Sequence, residues 1–180
     1  WLAANTSTVT LGTSVLVMPY LHPMILAKEI STLDHLSGGR ITLGLGVGSL
    51  PEENRILGSD YNNRGQYSNE FVEVLLRLWT QDQASFEGQH WQFKGVVTSP
   101  KPLQKPYPPV WVATRLGTKE AIDFIAANNY RMLSAWAPRV ELRSTYELLK
   151  ESRESSGMPG AFDFTCLRHV FVADSDSDAK

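Results

Sequence analysis

Apolar residues change their spacing along this chain in a regular way. From Val9 to Met18 (VTLGTSVLVM) β-branched and apolar residues crowd together and Pro19 closes the run, which predicts a strand. Leu26, Ile30, Leu33 and Leu36 then recur at the spacing of one helix face. Pro23 fits the first turn of that helix, where its missing N–H costs nothing. Ser37-Gly38-Gly39 stops the helix, because glycine takes the left-handed conformation of a C-terminal cap. Ile41, Leu43 and Leu45 follow between glycines in a run too short for a helix, as in a strand of a parallel sheet buried on both faces.

The pattern then turns polar from Gly48 to Arg64, a long loop with a helical turn near Glu52 to Leu57. Loops of this length in compact domains are often functional. Helical periodicity returns from Tyr67 to Thr80, with Phe71, Val74, Leu75, Leu78 and Trp79 on one face. Phe86, Trp91 and Phe93 flank Glu87-Gly88-Gln89, the signature of a hairpin within Ala84 to Val97. Ser99 to Pro109 is too rich in proline to be anything but extended. Strands are predicted at Val110–Thr114, Tyr130–Trp136 and Phe162–Ala173, and helices at Lys119–Asn128 and Val140–Ser156.

Strict alternation of strand and helix argues for a parallel sheet. The fold class is therefore α/β, with about five parallel strands, four helices and a hairpin in an insertion at about 81–109. No repeat or linker divides residues 1–180, which read as one domain. A complete (β/α)8 barrel takes about 250 residues, so this pattern amounts to a partial barrel.

A net charge of −2 gives no reason to expect nucleic acid or an anionic membrane as a partner. No apolar run has the length of a membrane span. Cys166 is the sole cysteine, so no internal disulfide points to secretion, and a cytoplasmic location is expected. The chain begins in what reads as the tail of a helix, without a methionine, and stops just after Asp174–Asp178, which reads as a helix starting; both ends are expected to be cut. His35, His90 and His169 lack metal-ligand spacing with one another or with Cys166, and no metal is expected.

The candidate chemistry lies where strands end. Gly46-Val47-Gly48-Ser49 follows one strand, and its small residues suit close approach of a ligand or close packing of the backbone. Arg115-Leu116-Gly117-Thr118 follows another and opens a helix, whose N–H groups and dipole favour an anion; a plain Thr118 N-cap is the simpler alternative. Arg64 stands before a helix, where its planar fork suits phosphate or simply solvent.

Five segments in order, LGTSVLVMPYLHP, LDHLSGGRITLGLGVGS, RGQYSNEFVEVLLRLWT, FEGQHWQF and PKPLQKPYPPVWVAT, resemble the bacterial luciferase-like flavin monooxygenase family from about Thr8 to Trp136, and more weakly to Ala173. The resemblance implies a TIM barrel with an insertion between its fourth helix and fifth strand, of which this chain holds the third to seventh strands. It implies FMN as cofactor, supplied reduced, by a flavin reductase for example, and used with O2 to oxidise a small organic substrate. A deazaflavin coenzyme is the cofactor in another branch; a non-catalytic flavin-binding protein is the third reading.

By the same resemblance Ser14-Val15 is expected to form a non-proline cis peptide beneath the flavin ring. Gly46, Val47 and Gly48 approach the phosphate, with Val47 replacing the arginine or threonine of some members. Arg64, Arg115, Leu116, Gly117 and Thr118 gather at the phosphate, Tyr61 offers a hydroxyl, and Trp136 borders the ring or substrate. His22, just before Pro23, is read as shaping its loop. The helix Pro23–Leu36 is expected to pack in a homo-oligomer. No catalytic residue is assigned, and the 180-residue chain alone is expected to be inactive.

Overall fold

The computed structural model describes residues 1–114, 117–168 and 171–178. A short helix α1 (Leu2–Asn5) leads to two brief strands, β1 (Leu11–Gly12) and β2 (Leu16–Val17), and a 3-10 turn at Met18–Tyr20. Then come α2 (Pro23–Ser37), β3 (Ile41–Gly46), α3 (Pro51–Ile56) and α4 (Arg64–Thr80). The hairpin β4 (Ala84–Glu87) and β5 (Gln92–Val96) precedes β6 (Val110–Ala113), α5 (Lys119–Ala127), β7 (Arg131–Ala135), α6 (Arg139–Ser155) and β8 (Phe164–Leu167).

Apart from the hairpin, every strand pairing is parallel, and spatial order follows chain order: β1 and β2 pair with β3, then β6, β7 and β8 follow. Such sequential order is that of a barrel wall; a doubly wound sheet would reverse direction at a switch point. The sheet is thus a parallel half-barrel with two open edges among the described residues.

β3 is the most deeply set strand, with Leu43 and Leu45 fully buried, as its two-sided apolar pattern requires. α4 packs Phe71, Val72, Val74, Leu75, Leu78 and Trp79 inward. Burial of such side chains contributes roughly 1.5–3 kcal/mol each. Trp79 also donates its indole N–H to the Ala27 carbonyl at 3.0 Å, joining α4 to α2. α2 ends at Gly38 with φ 68°, in the left-handed cap expected of it. His22 Nδ1 accepts the Met24 N–H at 3.2 Å and caps the start of α2, consistent with a loop-shaping role.

The extended 99–109 segment is tied back to the barrel. The buried Asp34 carboxylate accepts the backbone N–H of Gln104 at 2.9 Å and its side-chain amide at 2.8 Å. Ser99-Pro100 and Lys105-Pro106 are cis in this segment.

Three expectations need correction. The first strand is not continuous over Val9–Met18; it is two two-residue pieces on either side of a cis peptide between Ser14 and Val15, where the Thr13 hydroxyl takes over the bonds to Gly44. α4 begins at Arg64 rather than Tyr67, since a polar first turn extends the helix beyond its apolar stripe. The last strand spans only Phe164–Leu167, and the segment 174–178 forms a turn where a helix was anticipated.

Candidate functional site at the carboxyl ends of the strands

The cis Ser14-Val15 bulge sits directly on β3. A Cβ at Gly44 would stand 2.0 Å from the Thr13 carbonyl oxygen, and one at Gly46 2.7 Å from Val15 Cγ2. Only glycine fits so near a neighbouring backbone. Where the bulge breaks the ladder, the Thr13 hydroxyl substitutes for it. It accepts the Gly44 N–H and donates to the Gly44 carbonyl, both at 2.9 Å. The glycines at 44 and 46 therefore serve the bulge on the adjacent strand.

Beyond the end of β3, Gly48 has φ 77°, and a Cβ there would come within 2.9 Å of Val17 Cγ1 and 3.3 Å of the Tyr20 hydroxyl. The fully buried Asn54 donates its side-chain amide to Tyr20 Oη at 3.1 Å and to the Leu50 carbonyl at 2.9 Å. Tyr20 in turn donates to Glu53 at 3.1 Å. This network fixes the loop that follows β3. The sequence reading missed Tyr20, Glu53 and Asn54, because polar residues in a loop leave no periodic signal of burial.

Tyr61 and Arg64 join the same mouth. The Tyr61 hydroxyl reaches the Ser49 carbonyl at 3.5 Å, and Arg64 Nη1 donates to the Tyr61 carbonyl at 2.5 Å. The Arg64 guanidinium lies 3.7 Å from the centre of the Tyr61 ring, a cation–π contact that orients it. Its Nε–H is buried and has no acceptor among the described residues. Nearby, Asp60 is held below the ordinary carboxylate range, first by the Asn62 backbone N–H and then by the Asn63 amide, with a smaller contribution from His90. The His90 ring meets the Tyr67 ring edge-on at 5.1 Å, with its buried Nε2 unpartnered among the described residues.

The mouth after β6 differs. Arg115 and Leu116 lie outside the described residues. Gly117, with φ 41°, donates its N–H to Thr114 Oγ1 at 2.9 Å. Thr118 Oγ1 accepts the Ala121 N–H at 3.3 Å, so Thr118 is the N-cap of α5. The Glu120 carboxyl is lowered below its ordinary value first by its own backbone N–H and next by the Thr118 hydroxyl. A carboxylate of the protein itself therefore sits at this helix start.

Trp136, at the carboxyl end of β7, has φ 60° and is 45 % exposed, so it is not a core residue. Val47 is half-buried and packs against the core. The structure thus brings Val15, joined to Ser14 by the cis peptide, against Gly46, and brings Ser49, Tyr61 and Arg64 together in another contact, with Gly48 between them in the chain. Thr118 and Trp136 follow neighbouring strands on the same side of the sheet. No group of side chains suited to a metal ion occurs among the described residues, and no helix there is long and apolar enough to cross a membrane.

A parallel half-barrel whose loops gather glycines, a cis bulge and an oriented arginine at the strands' carboxyl ends belongs to the ligand-binding class of (β/α) barrels. The sequence model of the luciferase-like monooxygenases matches residues 1–180, and the chain belongs to that family. It is 33% identical over 186 residues to the oxygenase component of a flavin-dependent trigonelline monooxygenase from Acinetobacter baylyi, covering 99% of this chain and 50% of that protein. Monooxygenase RslO1 from Streptomyces bottropensis superposes with a TM-score of 0.90 at 27% identity, over 98% of this chain and 54% of its own. The coenzyme F420 dependent tetrahydromethanopterin reductase of Methanopyrus kandleri shares the fold, with a TM-score of 0.85 at 18% identity over 98% and 55% of the two chains. The chain thus spans about half the length of these relatives.

Proposed function

We propose that this chain is part of a flavin-dependent monooxygenase that uses reduced FMN and O2 to oxidise a small organic molecule. The observation that carries the reading is Arg64: a buried guanidinium N–H without an acceptor, on an arginine oriented by Tyr61 at the mouth of β3. An orphaned charged donor there fits a phosphate, which accepts two N–H groups of an arginine fork. When bound, the flavin supplies the redox chemistry with O2.

The chain's own residues have positioning tasks in this account. Arg64 holds the phosphate, and the Gly46–Ser49 loop with Tyr61 keeps Arg64 in place. The Ser14-Val15 bulge backs the ring, and Trp136 borders the ring or substrate and helps exclude water. The residues that lead into α5, Arg115 and Leu116 with Gly117 and Thr118, add a second phosphate contact in this account once Glu120 yields. Homology to a flavin-dependent oxygenase component supports oxygenation.

Use of a deazaflavin is the second reading, favoured by the likeness to the F420 dependent reductase. Against it, the segment 115–118 holds one glycine and not a glycine-rich turn. Reconstitution decides between them. FMN is expected to bind and to yield O2-dependent substrate oxidation when the full-length protein is given reduced flavin. Binding of the deazaflavin with hydride transfer and no O2 consumption would overturn the FMN reading. Flavin binding without turnover of an aldehyde and sulfonate panel would favour a non-catalytic flavoprotein.

Self-association belongs to the same proposal. Ile25, Leu33 and Leu36 leave a partly apolar exposed stripe on α2, interrupted by Glu29 and Thr32, at 59 %, 36 % and 72 % exposure. Such a stripe is buried at low cost against a second copy. Light scattering is expected to give a dimer mass that Leu36→Glu reduces to that of a monomer.

A further inference from the structure

At the opposite end of the sheet, where the chain leads into β8, a cavity of about 290 Å³ opens between the end of α6 and the 158–162 loop. Tyr146, Lys150, Arg153, Glu154 and Phe162 are among the residues that line it. Arg153 is 6 % exposed and forms no ion pair among the described residues. Nη1 donates to the Asn129 side chain at 2.8 Å, while Nε is buried without an acceptor. A buried cation without a direct ion-pair partner is costly. Its place in the last turn of α6 offsets only part of that cost through the helix dipole.

The walls are as specific as the charge. The Tyr146 and Phe162 rings stack with centres 5.0 Å apart, and the Arg153 guanidinium lies 5.3 Å from the Phe162 centre. Met158 and Pro159 extend the apolar lining, and Lys150 adds a second cation one helical turn before Glu154. We propose that this cavity binds a small organic carboxylate with a planar apolar body, its anionic end on Arg153 and Lys150 and its body against Tyr146 and Phe162. Guanidinium geometry suits a carboxylate. Glu154 disfavours the second charge of a phosphate dianion, and the apolar lining leaves most of a bare phosphate without partners. The site is distinct from the flavin mouth, because its loop precedes β8 whereas Gly48, Tyr61, Arg64, Thr118 and Trp136 follow β3, β6 and β7.

The test is a titration of the full-length protein with benzoate, followed by amide chemical shifts and calorimetry. Saturable binding is expected with a dissociation constant on the order of 1 mM, with shifts centred on residues 146–162. Arg153→Met should weaken it by about tenfold or more, the loss expected for a hydrogen bond to a charged group. Lys150→Glu changes an exposed side chain, keeps the fold testable if the first variant fails to fold, and should weaken binding severalfold. Benzyl alcohol, the neutral analogue, should bind far more weakly, and inorganic phosphate should not compete. Absence of saturation, equal affinity for benzyl alcohol, displacement by phosphate, or unchanged affinity in Lys150→Glu would each overturn the assignment.

Discussion

Two neighbouring strand mouths offer themselves to an anion, and they differ in what already occupies them. After β6, the start of α5 is satisfied: Thr118 caps the Ala121 N–H and the Glu120 carboxylate lies on its own N–H. After β3, α4 starts at Arg64 behind an N-cap, Asn63, that makes no side-chain cap bond, and Arg64 keeps a buried N–H without an acceptor among the described residues. A helix start is a candidate anion site only to the extent that the protein has not filled it. By that measure the β3 mouth is the better candidate for the proposed phosphate and the β6 mouth the conditional one.

The sharpest way to break the comparison is to damage the β3 mouth at its base. Gly44→Ala drives a methyl group onto the Thr13 carbonyl, 2.0 Å from the ideal Cβ. Overpacking against backbone should cost about 3 kcal/mol or more, read as a lowered urea midpoint or loss of folded protein. A variant as stable as the parent would mean that the bulge does not sit on β3 as described.

Removing the satisfied cap should have a smaller effect. Thr118→Ala takes away the acceptor of the Ala121 N–H and should cost about 1 kcal/mol. Thr118→Ser should recover most of it in the same denaturation series.

The smallest effect concerns the resident carboxylate. Glu120→Gln removes the competing charge and should tighten FMN binding about two- to fivefold, a gain of the size expected for one charge at a helix start. The pH dependence has a definite sign. The folded value of Glu120 is depressed below 4.5, so its stabilising contribution is present at neutral pH and is lost as pH falls through that depressed value. In the same acid range its competition with phosphate fades, and the difference between parent and Glu120→Gln should shrink.

Much of the fold was legible because periodicity reports burial. The α2 and β3 boundaries, the hairpin, and the strand–helix order follow from apolar spacing and from glycine and proline stops. The cis bulge was anticipated through family resemblance alone, since no feature of VTLGTSVLVM distinguishes it from an ordinary strand. The purpose of Gly44 and Gly46 was half-legible: glycines announce close approach but not the partner, which is Thr13 and Val15. Asn54 and Arg153 were invisible, because a buried polar residue resembles an exposed one in sequence. Glu120 was missed for another reason: a carboxylate in a first turn is so common that it suggests no competition with a ligand.

The central claim is that Arg64 holds the flavin phosphate, and the phosphate itself provides the control. Affinities of FMN and riboflavin are measured for the parent and for Arg64→Gln, using the full-length protein. Riboflavin lacks the phosphate, so it reports any general damage to the flavin site. The account predicts that the parent prefers FMN by about tenfold or more. It predicts that Arg64→Gln removes most of that preference while leaving riboflavin affinity nearly unchanged. A preference for FMN that survives the substitution would contradict the claim and assign the phosphate to another mouth.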